Sequence, residues 1–480
     1  MRGAGHLAWA LFRSAPAPRL DDRFEARLRQ RERRELALRF SSARAARAAG
    51  AIQPPGGPRR AITPGVPAVG ALMDLNVETS DFCSEFDTRT GRVIAVGTHV
   101  VVIADTLNPS GGFSAAQYQA LADSFDTFIW PTLTANFGAP ADIDGNNNRV
   151  IAFFTRAVNE RTPGGATRFV PGYFLWRDLR PATECPTSNI GEMIYLPAAD
   201  PSATVNGNAR GVTETFEEVQ QTLAHEMEHL INASRRFYVT GTTDLAPPWL
   251  DEGLAHVAQE LVFYSRSGLA PGQNVDAADL GVPAVQDAFF RYVYDNFARL
   301  DQWLLAPDTS GPFQDDADSA TRGAAWAFLR YAADRRGGTQ AAFWQSLVDG
   351  DGSNLPTGLV LLQEALGTDP LPWFRDFAAA MYIDDAVGSP PAAYTQPSWN
   401  FRGLYASPDF SDDAACSCSY RLAAPDLANG VASSFTLSNG GAAAYRRLGV
   451  ASNAFAGVTV RTTDDAAPPT TVKIAVIRRE

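Results

Sequence analysis

The amino-acid sequence predicts an α+β protein in which a small β-rich part precedes a mostly helical part. Between residues 70 and 196, short β-branched and apolar runs alternate with turn residues, as in a small mixed or antiparallel sheet. After residue 252, apolar residues recur mostly at helical spacing. From about residue 390, short alternating runs separated by Gly, Asn and Asp are typical of a small β-sandwich-like domain. A chain of 480 residues is long enough for several such parts.

The N-terminal segment differs in charge from the rest of the chain. Residues 1–60 carry 14 Arg and 5 acidic residues, a net charge of +9, whereas the remainder carries 27 basic and 48 acidic residues, a net charge of −21. An acidic body repels phosphate backbones, so we expect no nucleic acid among the partners. No apolar run approaches the roughly 18 residues of a membrane span, so we also expect no transmembrane segment.

Residues 19–49 show an arginine-rich helical pattern with few apolar side chains, and a Pro- and Gly-rich linker follows. Such a segment could be a removable pro-segment, a disordered tail or an arm that binds nucleic acid. The pair Arg59-Arg60 in the linker is an obvious site for proteolytic cleavage. We therefore expect three regions, namely an arginine-rich segment at 1–68, a main domain at 69–389 and a β-rich domain at 390–480.

The N-terminus carries a weak signal-peptide pattern. An apolar run at 7–12 is below the usual minimum of about seven residues, and Arg13 interrupts it. We expect a secreted protein, with a cytoplasmic location as the alternative. The even number of cysteines fits either disulfides in an oxidising compartment, in alternative pairings, or buried thiols. The cysteines are Cys83, Cys185, Cys416 and Cys418, of which the first two would tie together the domain before the histidine motif.

A pair of histidines is the sharpest chemical pattern in the chain. On a helix, His225 and His229 share one face, so both imidazoles can bind one ion, and Glu226 can hold a water beside it. This spacing is a zinc-binding geometry; the alternative is that two hydrogen-bonded core histidines share the spacing by chance. Apolar residues at helical spacing predict a helix over 215–233, opened by a capping box that begins at Thr215.

A second motif, WLDEGLAH at 249–256, follows the first. Pro248 opens a helix predicted over 248–263, with Glu252 early on it. A catalytic zinc site needs three protein ligands and keeps a position for water. HExxH followed by W-L-x-E-G-x-A resembles the signature of the gluzincin metallopeptidases, and the chain is most similar to the hyicolysin family of bacterial zinc peptidases. A looser similarity to that family extends over residues 91–385.

The resemblance implies a zincin-like, two-lobed metallopeptidase with a small β-rich N-terminal lobe and a helical C-terminal lobe. The implied zinc (Zn²⁺) ligands are His225, His229 and Glu252, with Glu226 as the general base. The implied activity is that of an endopeptidase, which hydrolyses a polypeptide substrate with a metal-activated water. His256 departs from the residue usual in such families; as a catalytic candidate it could hydrogen-bond a ligand, steady the oxyanion or do neither. We expect a monomer.

Two other functions remain as alternatives. A zinc aminopeptidase would need an acidic site for the free amine of its substrate, and residues 191–195 resemble the strand that supplies it only superficially. A non-catalytic adhesion or binding protein on a peptidase scaffold would carry its function in residues 390–480.

Three further expectations concern the surroundings of the histidine pair. Asp251 and Glu228 are close enough in sequence to orient the imidazoles, although the helical spacing favours a surface position for Glu228. The strand Met193–Leu196 is expected to form the sheet edge that pairs with an extended substrate. Alternating oxygen-bearing side chains are expected to form an Asx-rich turn, with a calcium (Ca²⁺) site as the alternative, at Asp142, Asp144 and Asn146.

Overall fold

The computed structural model describes residues 20–49, 65–80, 83–242, 244–314, 318–350, 358–407 and 420–478, and within the first helix it describes the side chains of residues 22–37. The signal-peptide pattern, the Arg59-Arg60 pair, Cys416 and Cys418 lie outside this part of the chain. None of the described helices is long and apolar enough to cross a membrane. The predicted α+β class is confirmed.

A six-stranded mixed sheet forms the β part of the protein. Its strands are β1 (Leu72–Asn76), β2 (Thr88–Val96), β3 (Val100–Asp105), β4 (Val150–Phe154), β5 (Tyr173–Phe174) and β6 (Met193–Leu196). Their order across the sheet is β1-β2-β3-β4-β6-β5, with β4 parallel to both of its neighbours and the other pairs antiparallel. Strands β4 and β6 are buried along their whole length, which explains why their sequences are continuously apolar rather than alternating.

Helices form a large part of the remaining described chain. They are α1 (Leu20–Ala49), α2 (Ala115–Ser124), α3 (Trp130–Phe137), α4 (Arg156–Glu160), α5 (Val212–Tyr238), α6 (Pro248–Ser267), α7 (Pro283–Tyr292), α8 (Tyr294–Leu305), α9 (Ser319–Arg336), α10 (Gln340–Asp349), α11 (Gly358–Leu366), α12 (Pro370–Ile383) and α13 (Phe401–Ala406). The helical part predicted after residue 252 is therefore confirmed. Its core is aromatic, with Trp326, Trp399 and Phe297 buried in mutual contact.

The sheet edge nearest to helix α5 is β5, so the prediction that Met193–Leu196 forms this edge is wrong. That strand, β6, lies inside the sheet between β4 and β5. Both runs are short and apolar, and the residue pattern cannot distinguish an inner strand from an edge. Gly172 allows β5 to approach α5, because a Cβ at this position would lie 2.7 Å from a methyl group of Thr222.

The predicted β-sandwich is not found in residues 420–478. Within this range the chain has an isolated bridge between Asp426 and Arg447 and no strand. Its alternating apolar residues remain exposed, among them Phe455 and Val476. An alternating pattern stabilises strands only when one face is buried, and here the apolar face has no partner. The division of the chain into three regions stays a prediction.

A disulfide joins Cys83 to Cys185. The pairing considered from the sequence is thus confirmed, whereas the other two cysteines lie outside the described residues. The bond links the segment after β1 to the loop before β6 across a sequence separation of 102 residues. A crosslink over so long a loop is expected to stabilise the fold by up to about 4–5 kcal/mol, by restricting the unfolded chain.

Candidate metal centre

Helix α5 carries the histidine pair and begins earlier than predicted. Its N-cap is Gly211, and no capping box forms at Thr215. The Thr215 hydroxyl instead donates to the Gly211 carbonyl oxygen at 2.7 Å, inside the first turn. The helix runs for 27 residues, packs against β5, β6 and α6, and is almost entirely buried around the motif. This length and burial hold the histidine pair rigidly beneath the sheet edge.

Helix α6 brings Glu252 to the two histidines. Its first turn contains the predicted proline, and the helix continues past the predicted end to Ser267. Gly253, next to the acidic residue, has no room for a side chain, because a Cβ there would lie 2.8 Å from Leu329 on α9. Close packing of α6 on α9 therefore fixes the position from which the Glu252 carboxylate extends.

The ligand atoms of His225, His229 and Glu252 converge on one point. The two Nε2 atoms are 3.2 Å apart, and Glu252 Oε2 lies 3.5 Å from His225 Nε2 and 3.9 Å from His229 Nε2. A tetrahedral zinc ion at about 2.0–2.1 Å from its ligands holds the ligand atoms roughly 3.3 Å apart. The three side chains, called the ligand group below, therefore fit a zinc ion.

The buried Glu252 carboxylate also fits a cation. The residue is 1% exposed, and neither of its carboxylate oxygens has a hydrogen-bond partner. Arg322 Nη1 lies 3.1 Å from Oε2, close enough for an ion pair but not in hydrogen-bonding geometry. Burying a carboxylate without hydrogen-bond partners costs folding free energy. A metal ion among the three side chains would supply the missing partner.

Glu226 lies beside this group and is held by the sheet edge. Its Oε2 accepts a hydrogen bond from the backbone N–H of Phe174 in β5 at 2.8 Å, and Arg29 Nη2 lies 3.3 Å from the same oxygen. The side chain is 2% exposed, and burial raises the pKa of its carboxyl above the ordinary range. Strand β5 thus orients the Glu226 carboxylate.

A comparison with known proteins bears on this arrangement. No protein-family model matches the chain. Over 145 residues the chain is 29% identical to the neutral metalloprotease ShpI of Staphylococcus hyicus. Part of the chain resembles a metalloprotease. The matched stretch is 30% of this chain and 31% of the relative, so the chain spans about a third of that protein's length.

Asp251 and Glu228 both lie beside His229. The Nδ1–H of His229 donates to Asp251 Oδ1 at 3.1 Å, which leaves Nε2 free to bind a metal. Burial raises the pKa of Asp251, but the neighbouring His229 outweighs burial and holds this pKa below its usual range.

Glu228 is fully buried, so its expected surface position is wrong. Its Oε1 accepts a hydrogen bond from Asn232, and burial raises the pKa of its carboxyl to about 8. The prediction from helical spacing is wrong because α5 is enclosed on all sides around the motif.

Replacement of Asp251 by Ala is expected to lower the zinc affinity of the protein by about 10- to 100-fold. The variant loses the carboxylate that keeps the proton on His229 Nδ1 and directs Nε2 towards the ligand group. Competition with a chromophoric chelator measures the change. Asp244→Ala, exposed in the loop before α6, is the control and should bind zinc as the wild type does. Equal affinities in both variants would contradict an orienting role for Asp251.

His256 lies against the group but presents an acceptor rather than a donor. Its ring centroid is 4.9 Å from that of His225, and its Nδ1–H donates to Gln259 Oε1 at 2.9 Å. The Gln259 amide is oriented by its own bond to the Gln221 carbonyl. Burial, assisted by the charge of Arg299, lowers the pKa of His256 well below its ordinary value, so the ring is neutral. Its buried Nε2 has no hydrogen-bond partner and in this tautomer carries a lone pair, which disfavours donation to an oxyanion.

Two residues that the sequence reasoning missed complete the site. Glu25 of α1 lies with the two histidines and Glu252, and ligand atoms of all four side chains are within 4.8 Å of one another. Burial lowers the pKa of His225, but the charge of Glu25 outweighs burial and raises this pKa to about 9. Two carboxylates around the histidines thus create a strong attraction for positive charge. Arg322 of α9 is the second missed residue, and it contacts both carboxylates.

An acidic cluster lies at the predicted Asx-rich turn, and its members differ from the ligand set of the calcium alternative. Asn146 uses its side-chain oxygen to accept the N–H of Arg149, and its amide donates to Asp144. Glu192, just before β6, joins Asp142 and Asp144 instead, with ligand atoms within 4.8 Å. Burial raises the pKa of Glu192 to about 8 and that of Asp144 to about 7. Calcium binding at this cluster stays a prediction.

Proposed function

We propose that the protein is a zinc-dependent endopeptidase, in which His225, His229 and Glu252 hold the ion and Glu226 is the general base. The convergence of the three ligand atoms beside the Glu226 carboxylate carries this proposal. The similarity to a neutral metalloprotease over part of the chain supports it. A monomer with a polypeptide substrate is part of the same proposal.

The chain's own residues supply the proton transfers. Bound zinc would polarise the scissile carbonyl and lower the pKa of a water towards about 7. Glu226 would accept the proton of the attacking water and deliver it to the leaving amine. The backbone N–H of Phe174 holds the Glu226 carboxylate in the position required for both transfers. Asp251 keeps His229 in the tautomer that leaves Nε2 for the ion.

Substrate would lie along β5. This strand has β6 on one side only, so its other side can pair with an extended peptide. The hydrogen-bonding groups on that side include the carbonyl of Phe174 and, just beyond the strand, the N–H of Trp176. Arg322, rather than His256, is the donor that we assign to the developing oxyanion, because it is charged and reaches the ligand group.

The aminopeptidase alternative depends on an acidic side chain near the site that could bind a free amine. Glu192 is the acidic residue of the resembling segment, but its Oε1 accepts the N–H of Ile143. Its carboxylate groups with Asp142 and Asp144 and not with the histidines. This placement favours an endopeptidase.

Zinc content and peptide hydrolysis test the proposal together. The protein is expected to bind one zinc ion and, assayed both uncut and after specific cleavage between residues 50 and 64, to hydrolyse casein and peptides with blocked termini in at least one of these two forms. Hydrolysis restricted to substrates with a free amine would instead indicate the aminopeptidase. Bound zinc with no hydrolysis of any polypeptide would favour a binding protein on a peptidase scaffold. Absence of zinc binding would reject all three.

A further inference from the structure

We propose that helix α1 is an inhibitory segment that occupies the substrate cleft and that Glu25 is a fourth ligand of the metal ion. This inference rests on the proposed function. It selects one of the three sequence-based interpretations of the N-terminal segment, the removable pro-segment, and adds a metal ligand that the sequence reasoning did not find.

The position of Glu25 at the ligand group is the first observation. Its Oε1 lies 3.1 Å from His225 Nε2 and 3.4 Å from His229 Nε2. These distances match the spacing between ligand atoms around a tetrahedral zinc ion, roughly 3.3 Å. Its Oε2 accepts a hydrogen bond from Arg322 at 2.6 Å. Glu25 thus takes the position that a catalytic site leaves open for water, and it engages the arginine that we assign to the oxyanion.

The contacts of Arg29 and Glu32 with the sheet edge are the second observation. Arg29 Nη1 donates to the Phe174 carbonyl at 3.0 Å, and Glu32 Oε1 accepts the N–H of Trp176 at 3.1 Å. These are backbone groups that an extended substrate would use. A helix cannot pair with a strand through its own backbone, so charged side chains satisfy the edge instead. The cleft is filled without a peptide bond being presented to Glu226.

Ion pairs bind the same helix to the helical part of the protein. Asp22 accepts from Arg299 on α8 at 2.9 Å and also from Ser319 on α9. Arg33 donates to Asp251 at 3.2 Å. Asp22, Arg29 and Glu32 are all at most 4% exposed, and buried charges are tolerated only when they are paired this closely. The helix therefore fits the cleft through specific charge pairing.

Cobalt in place of zinc tests the fourth ligand in the full-length protein. Glu25→Gln is expected to change the visible absorption spectrum of bound Co²⁺, because a carboxylate leaves the ion. Arg27→Gln, a charge change on the exposed side of α1, is the control and should leave the wild-type spectrum unchanged. Equal spectra for Glu25→Gln and the wild type, with Co²⁺ bound, would overturn the assignment of Glu25. Failure of Co²⁺ to bind at all would count against the proposed function instead.

Activity before and after cleavage tests inhibition, and it does not depend on the folding of a variant. A recognition sequence for a specific protease is introduced between residues 50 and 64, and hydrolysis of a blocked peptide is measured. Cleavage and dilution should raise the rate of hydrolysis at least about tenfold, and uncut Glu25→Gln should exceed the uncut wild type by roughly tenfold. Equal rates for cut and uncut protein, with both active, would refute inhibition while leaving the proposed function intact. Inactivity of both would reject the proposed function.

Discussion

Replacement of Glu226 by Gln in the cleaved protein is expected to lower kcat/KM about 10²- to 10⁴-fold while bound zinc is retained. Gln has nearly the same shape and can still accept the N–H of Phe174, so the site geometry should persist. It cannot take a proton from the attacking water. The decrease should appear in kcat, because the general base acts in the transition state and contributes little to substrate binding.

Steady-state kinetics on a blocked peptide, together with elemental analysis for zinc, measure this effect. Glu214→Gln, exposed in the first turn of the same helix, is the matched control and should keep wild-type kinetics. Full activity in Glu226→Gln would mean that another residue is the base. Loss of zinc along with activity would show that Glu226 acts on the metal site rather than on the proton.

Replacement of Glu252 by Gln is expected to weaken zinc binding by more than about 100-fold, beyond the effect typical of residues that only orient ligands. The variant loses the anionic oxygen that converges with the two imidazoles. In the wild type, zinc should raise Tm, because it binds the folded protein and not the unfolded chain. That shift should be nearly absent in the variant.

The stability of metal-free Glu252→Gln shows what the replacement costs apart from zinc binding. In the full-length protein Arg322, the ion-pair partner of Glu252, keeps its ion pairs with Asp22 and Glu25, so neutralising Glu252 leaves no unpaired buried charge and should cost the metal-free protein little stability. Thermal unfolding with zinc and with a chelator separates the two effects. Glu364→Gln, exposed on α11, is the control and should keep the zinc-dependent Tm shift. A large zinc-dependent shift in Glu252→Gln would exclude Glu252 as a ligand.

The site residues that lie close together in sequence could be predicted, whereas those brought in from distant parts of the chain could not. His225, Glu226 and His229 lie on one helix, and helical geometry alone determines their relative positions. Glu25 is 200 residues away from His225, and no local pattern indicates this contact. One sequence signal was available, since residues at positions 22, 25, 29, 32 and 36 recur at helical spacing and form the side of α1 that meets the protein.

Other errors arose where tertiary packing overrides the residue pattern. Glu228 is charged and lies away from the histidine face, yet residues on every side of α5 are buried around the motif, and neighbouring elements enclose Glu228 as well. The alternating segments after residue 390 look like strands, but no second apolar layer covers them between residues 420 and 478. The helical part was predictable because it follows from long segments with helical spacing, and the fold class was predictable because short β-branched, apolar runs precede that part.

Both cysteines of the Cys83–Cys185 disulfide follow the linker in sequence. A cut between residues 49 and 65 would therefore leave no covalent bond between α1 and the remainder of the described protein. Before the cut, the helix competes with substrate at the effective concentration of a tethered segment, on the order of millimolar. After the cut, its rebinding becomes bimolecular and depends on total protein concentration. Activation should therefore be incomplete in concentrated samples and complete on dilution.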